Sequence, residues 1–355
     1  MLKKILLIVQ RSNGDVFLSA SLINKLSAQF LNPEIDLLVN DDTFEIANCL
    51  PKVNKIITFS YEKKKNERIK QEKEIFKKIF RKYDLSISLT ASDRSVIYAF
   101  LASKNCISAI DNESYKNWWK KVILKETFVW NFNEHIFKNY NTPLKNLNIK
   151  DSFEFTEIES SFKAKRAVKN LIKDNGVKKF IIFHPSAGKK YKMLPPEKIV
   201  ELLNLLLTLK FYVIVTGGSS TIDKEVSSLI SNNEKVLNLI GKLNIDEFIA
   251  LSSLSEFYIG MDTLNTHIAA SQNKRVFAIF GPTNLALWAP IQSSRQLEKI
   301  SPNKPIQTYD NITIYRSDLP CMSCWKAGCL DKESYSYCLD EFDVHEFFNF
   351  VKSSI

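Results

Sequence analysis

Glycine is scarce in this chain, 9 of 355 residues, which excludes flexible glycine-rich linkers and low-complexity tracts. No uninterrupted apolar run approaches the roughly 20 residues that a membrane-spanning helix requires. The opening Met1–Val9 passes into polar Gln10–Asp15 without a cleavage-like site. The expectation is a cytoplasmic protein, with peripheral contact at the inner face of the cytoplasmic membrane left open. Six cysteines are too few for a disulfide framework in a chain of this length, and cytosolic thiols stay reduced. Zinc-finger spacing and an aromatic RNA-binding signature are both missing, so the net charge of +10 does not point to nucleic acid. It points to an anionic membrane surface or a phosphorylated substrate.

What is present is alternation. Apolar runs at Ile5–Val9, Ile35–Val39, Ile56–Phe59 and Leu85–Leu89 interleave with stretches of helical period at Phe17–Phe30 and Ile69–Phe80. The pattern restarts with runs at Phe180–Phe183, Phe211–Val215, Val236–Ile240, Phe257–Ile259 and Val276–Phe280, with a helical stretch at Ile199–Leu209 among them. Repeated strand–helix alternation is the mark of βαβ units, and the length suits two domains of on the order of 100 to 200 residues. The expected fold class is therefore α/β with two Rossmann-like domains, residues 1–165 and 176–340. The stretch Trp118–Ser160 lacks a clean period and is expected to carry the last strand or hairpin of the first domain. A helix over Phe162–Asn175, closed by Gly176, should hold the boundary. The aromatic tail 341–355 reads as a helix packing back toward the first domain.

Chemistry concentrates at strand ends. Ser186, Ala187 and Gly188 follow the run Phe180–Phe183, Asp262 and Thr263 follow Phe257–Ile259, and Thr283 follows Val276–Phe280. Ligands of open α/β sheets sit outside the carboxyl ends of the strands, so these loops mark one crevice, and its small, hydroxyl and basic residues suit a diphosphate. Lys189, Lys190 and Lys192 lie in the same segment, and chemistry alone does not separate them. Gly217 and Gly218 end another strand and permit close backbone approach. In the first half, Asp15 follows Gly14 where the first strand hands over to a helix, either as a plain turn and N-cap or with its carboxylate offered to a ligand. The basic segment Tyr61–Lys82 reads mainly as an amphipathic helix with Ile69, Ile75, Phe76, Ile79 and Phe80 inward. Its Lys63, Lys64, Lys65 and Arg68, with Arg94 after the fourth run, are candidates for contact with an anionic ligand.

Arg11–Asp15, His184–Gly188 with Lys192 and Pro195, Thr216–Gly218, Gly260–Thr263 with His267, Phe280–Thr283 and the late cysteines together resemble the family 9 glycosyltransferases, the heptosyltransferases of lipopolysaccharide core assembly. The resemblance covers nearly the whole chain. It implies a GT-B architecture with two Rossmann-like domains facing across a cleft, the first holding the acceptor and the second the sugar nucleotide. The implied reaction is inverting, metal-independent transfer of heptose from ADP-heptose, used as a substrate with no cofactor, to a lipid-anchored lipopolysaccharide or lipooligosaccharide core.

In that frame Asp15 is the general base and Lys192 the residue that stabilises the leaving diphosphate. Donor contacts fall to Ser186, Ala187, Gly188, Lys189, Gly217, Gly218, Asp262, Thr263, Leu264, His267 and Thr283, with Asp223 or Glu225 at the ribose. Acceptor contacts fall to Arg11, Asn13, Gly14, Lys64, Arg68 and Arg94. The usual Asp-Thr-Gly reads Asp262-Thr263-Leu264 here, so another nucleotide sugar, or a non-catalytic sugar-nucleotide binder, stands as the alternative. Cys321, Cys324, Cys329 and Cys338 depart from paired C-x2-C zinc spacing, and no metal site is assigned.

Overall fold

The computed structural model describes residues 2–30, 32–111, 117–149, 158–329 and 334–355. The chain divides into two compact units, Met1–Thr156 and Glu157–Ile355. In the first, strands β1 (Lys4–Val9), β2 (Glu34–Asn40), β3 (Lys55–Phe59), β4 (Leu85–Ser88), β5 (Cys106–Ile110) and β6 (Glu126–Val129) form one sheet of order β3-β2-β1-β4-β5-β6. Every pairing in it is parallel. That order reverses between β1 and β4, the switch point at which Rossmann sheets open a crevice. Apart from its first residue, β1 is buried along its length, as a strand covered by helices on both faces must be.

The second unit repeats the design with β7 (Phe180–His184), β8 (Tyr212–Val215), β9 (Val236–Asn238), β10 (Phe257–Met261), β11 (Arg275–Ile279), β12 (Ile306–Tyr309) and β13 (Ile312–Tyr315). Their order is β12-β13-β11-β10-β7-β8-β9, parallel except for the β12–β13 hairpin. The switch point lies between β7 and β10. At Gly260 in β10, an added Cβ would stand 2.7 Å from Tyr258 Cζ, and Tyr258 is fully buried. Gly260→Ala is therefore expected to cost about 1–3 kcal/mol through overpacking, measurable as a lowered denaturation midpoint.

Several expectations shift. The helix Phe162–Asp174 ends as expected at Gly176, φ +65°, but it belongs to the second unit, so the boundary lies upstream of it. Ser161 N–H and Oγ–H donate to Asp246 at 2.8 and 2.6 Å, and the helix, with Ala164 and Val168 buried, packs on that unit's helix Ile245–Leu254. The tail helix Val344–Ser353 belongs to the second unit and packs on its helix Pro196–Leu206. Its Phe347 and the preceding Phe342 meet Tyr315 at ring distances of 5.3 and 5.4 Å, so the aromatic face finds its partner at the end of β13.

The helix Arg68–Ile79 buries Ile75 and Ile79 as expected. Ile69, however, is 72% exposed, and Phe76 and Phe80 stack on each other at 4.6 Å near the surface. Gln71 takes the inward place, accepting from Ser60 N–H at 2.7 Å and donating to its carbonyl at 3.1 Å. In Trp118–Ser160, β6 is the last strand of the first sheet, and residues 150–157 lie outside the described residues. Among the described residues no helix is long and apolar enough to cross a membrane.

Candidate functional site

In the first unit the chain leaves β1, extends through Ser12, and enters the short helix Asn13–Leu18, with Asp15 in its first turn. Asp15 is buried, and its carboxylate is held by four donors. Arg11 Nε–H and Tyr140 O–H reach Oδ1, each at 2.8 Å. Ser12 Oγ–H and Ser12 N–H reach Oδ2 at 2.6 and 3.2 Å. Arg11 lies over the Trp130 ring at 4.4 Å, and Trp130 meets Tyr140 edge-on at 5.6 Å. Burial first, then the Asp15 charge, pushes the Tyr140 hydroxyl well above its ordinary pKa, so it stays a donor. Arg11, expected to face the acceptor, is thus engaged with Asp15 itself.

Around the same strand ends, Asn13 Oδ1 is buried without a hydrogen-bond partner among the described residues. Arg94 lies 3.7 Å over the Phe59 ring and donates to Tyr61 Oη at 2.9 Å and Gln10 Oε1 at 3.4 Å. Lys64 Nζ lies 5.8 Å from the Tyr61 ring. The expected cations Lys64 and Arg94 therefore share Tyr61, whereas Arg68 is exposed at the start of the next helix.

In the second unit the loop after β7 runs through Ser186–Gly188 to a short turn at Lys190–Lys192. Lys192 Nζ donates to Asp262 Oδ2 at 2.8 Å, and Thr283 Oγ–H donates to the same oxygen at 2.6 Å. Burial opposes the charge on Asp262, but Lys192, Thr283 and His267 outweigh it and hold the carboxyl below its ordinary pKa. Three segments far apart in sequence converge here, at the ends of β7, β10 and β11. The three lysines are now distinct: Lys190 pairs with Glu225 at 2.8 Å, Lys189 is exposed, and Lys192 lines a cleft of about 210 Å³ with Tyr191, Thr283, Trp288 and Trp325. Thr263 precedes the helix Leu264–Ser271, and its hydroxyl is buried beside that of Tyr258. Ser186 Oγ is buried without a hydrogen-bond partner among the described residues. Leu264, where glycine is usual, is half-buried in the first helical turn.

Asp223 does something other than expected. Its Oδ1 accepts from Gly218 N–H at 2.9 Å, and its Oδ2 from Ser220 N–H and Oγ–H at 3.0 and 2.6 Å. Both oxygens cap the helix Thr221–Leu229, and the other ribose candidate, Glu225, pairs with Lys190. Neither Gly217 nor Gly218 has room for a side chain: a Cβ on Gly217 would meet Ser186 Oγ at 2.7 Å, and one on Gly218 would meet Asp223 Oδ2 at 2.8 Å.

Tyr140, Trp130 and Trp325 escaped the sequence reading. The first two lie in the aperiodic stretch, and nothing local marked them. Trp325 carries its signal in the cysteine cluster, which is tied to the site by Trp325 N–H donating to Pro282 O at 3.1 Å. His184, which opens one of the motifs but received no role, ends β7. It is buried, and burial lowers its pKa to about 4 against a smaller raising effect from Asp223. The Asn265 amide lies 3.2 Å and Thr216 Oγ 2.9 Å from its Nδ1, so it is a neutral spacer between β7 and the helix after β10. Among the described residues no group of three or more His, Cys, Asp or Glu is arranged to hold a metal ion.

Comparison with known proteins gives the family and the fold. The profile of glycosyltransferase family 9 (heptosyltransferase) matches residues 73–332. The chain is 24% identical to lipopolysaccharide heptosyltransferase 3 of Escherichia coli K12 over 287 residues, 79% of this chain and 83% of that protein. The solved structure of E. coli ADP-heptose lps heptosyltransferase II superposes with a TM-score of 0.73 at 17% identity, covering 99% of this chain and 98% of that one. E. coli heptosyltransferase WaaC with ADP gives 0.72 at 14% identity over 99% and 100%. The fold is that of the GT-B class.

Proposed function

The chain belongs to glycosyltransferase family 9, and from that premise we propose that it moves heptose from ADP-heptose to a lipopolysaccharide or lipooligosaccharide core acceptor, with inversion and without a metal. The observation that carries the donor half is the Lys192–Asp262–Thr283 cluster at the ends of β7, β10 and β11. Negative charge grows on the diphosphate as the glycosidic bond breaks, and a preplaced ammonium meets it without reorganisation. Lys192 takes that part. Asp262, kept ionised by its neighbours, accepts from sugar hydroxyls, with Thr263, Leu264 and His267 beside it. Ser186–Gly188 and Lys189 face the phosphates.

Asp15 is the general base, since an inverting transfer needs one group to take the acceptor hydroxyl proton as the new bond forms. Asn13, Gly14, Lys64, Arg68 and Arg94 contact the acceptor's hydroxyls and anionic groups, and the exposed lysines of the helix Tyr61–Asn66 suit a lipid-anchored substrate at an anionic surface. The test is incubation with ADP-heptose and a truncated core acceptor: ADP release that depends on both substrates is expected. Turnover only with a different nucleotide sugar would replace the donor assignment, the alternative to which Leu264 in the donor loop gives weight.

A further inference from the structure

Asp15 is only 4% exposed, and all four of its hydrogen bonds are taken up within the first unit. A carboxylate offers about four lone-pair sites, so an incoming hydroxyl has no unoccupied oxygen to approach. On Oδ1, Arg11 is braced by Trp130 and Tyr140 is fully buried, and neither is placed to leave. On Oδ2, the Ser12 backbone N–H is fixed by the entry to the helix. The remaining donor is Ser12 Oγ, on an exposed residue and 2.6 Å from Oδ2, the length of a strong charge-assisted bond. Gly14 leaves it uncovered, for a Cβ at that position would stand 3.9 Å from Ser12 Oγ with no other atom nearer.

We propose that Ser12 is a catalytic residue: its hydroxyl receives the acceptor's proton and passes its own to Asp15 Oδ2. This rests on the reading of Asp15 as the base and says by which atoms that base is reached. A hydroxyl that donates to the carboxylate and faces the Asp15 backbone N–H in the capping box still has one lone pair for an incoming donor. In the step, the acceptor O–H bond breaks as its oxygen bonds to the anomeric carbon. That proton goes to Ser12 Oγ, and the proton Ser12 held goes to Asp15. The bond from the anomeric carbon to the diphosphate oxygen breaks, and its electron pair leaves with the nucleoside diphosphate. Ser12 ends unchanged and Asp15 ends as the carboxylic acid.

Steady-state kinetics of Ser12→Ala, Ser12→Thr and Asp15→Asn with ADP-heptose and core acceptor test the relay, with folding followed by melting temperature. Ser12→Ala is expected to lower kcat by about 10²-fold or more with donor KM within about twofold, and Ser12→Thr to restore most of the rate. Ser12→Gly, tolerated at a helix start, repeats the deletion if the Ala variant is unstable. A Ser12→Ala enzyme with near-normal kcat beside an inactive Asp15→Asn overturns the relay while leaving the base in place, because Asp15 then takes the proton directly. A Ser12→Ala enzyme faster than the parent overturns it too, showing that the hydroxyl merely obstructs Oδ2. Near-normal turnover of Asp15→Asn removes both the base and the relay.

Discussion

Asp15→Asn is expected to lower kcat by about 10² to 10⁴-fold, the range attributable to a positioned general base, while the dissociation constant for ADP stays close to that of the parent. The substitution is nearly isosteric. The carboxamide oxygen it introduces can still accept from Arg11 and Tyr140, which meet one and the same oxygen in the parent. What the carboxamide cannot do is take a proton. Some stability will go with the charge, since Arg11 keeps the hydrogen bond but loses the ion pair, yet Arg11 keeps about a third of its side chain in solvent and solvent screening makes that loss modest. Melting temperature and kcat therefore separate, and a variant that unfolds no more readily yet retains the parent's turnover contradicts the base assignment.

Lys192→Ala is expected to raise donor KM and to lower kcat by about 10² to 10³-fold, the size of effect seen when one preorganised charge-stabilising donor is removed. Calorimetry with ADP alone should show the binding loss without any acceptor present. A second signature follows from Asp262. In the parent its pKa lies below the ordinary value because Lys192, Thr283 and His267 together outweigh burial, so the ionised group adds stability at neutral pH that is lost as pH falls through the acidic range. With Lys192 gone, burial acts with less opposition and favours the protonated form. The stability gap between parent and variant should accordingly be widest near neutrality and narrow as the solution is acidified. A gap independent of pH would mean that Lys192 and Asp262 are not coupled in solution.

The contrast between Asp15 and Asp223 shows how far local sequence reaches. Each stands three residues after a serine, and each accepts from that serine's N–H and hydroxyl. Sequence spacing alone makes them equivalent helix-start residues. They differ in what the rest of the fold brings: Asp15 receives Arg11 and a tyrosine 125 residues away, whereas Asp223 receives Gly218 N–H from its own turn. Ionic and phenolic partners surround one carboxylate, while the other finishes a helix.

By itself the sequence determined the two βαβ series and the loops at their strand ends, because buried parallel strands must be apolar throughout and the residues that follow them must turn. Those constraints act within a few residues and are written locally. Only the tertiary structure decided that Lys192, rather than Lys189 or Lys190, meets Asp262, that Tyr140 closes over Asp15, and that the last helix belongs to the second unit. Each of these depends on which side chains from distant segments arrive within about 3 Å of one another or share one buried face, a condition set by sheet order and helix packing rather than by neighbours in the chain.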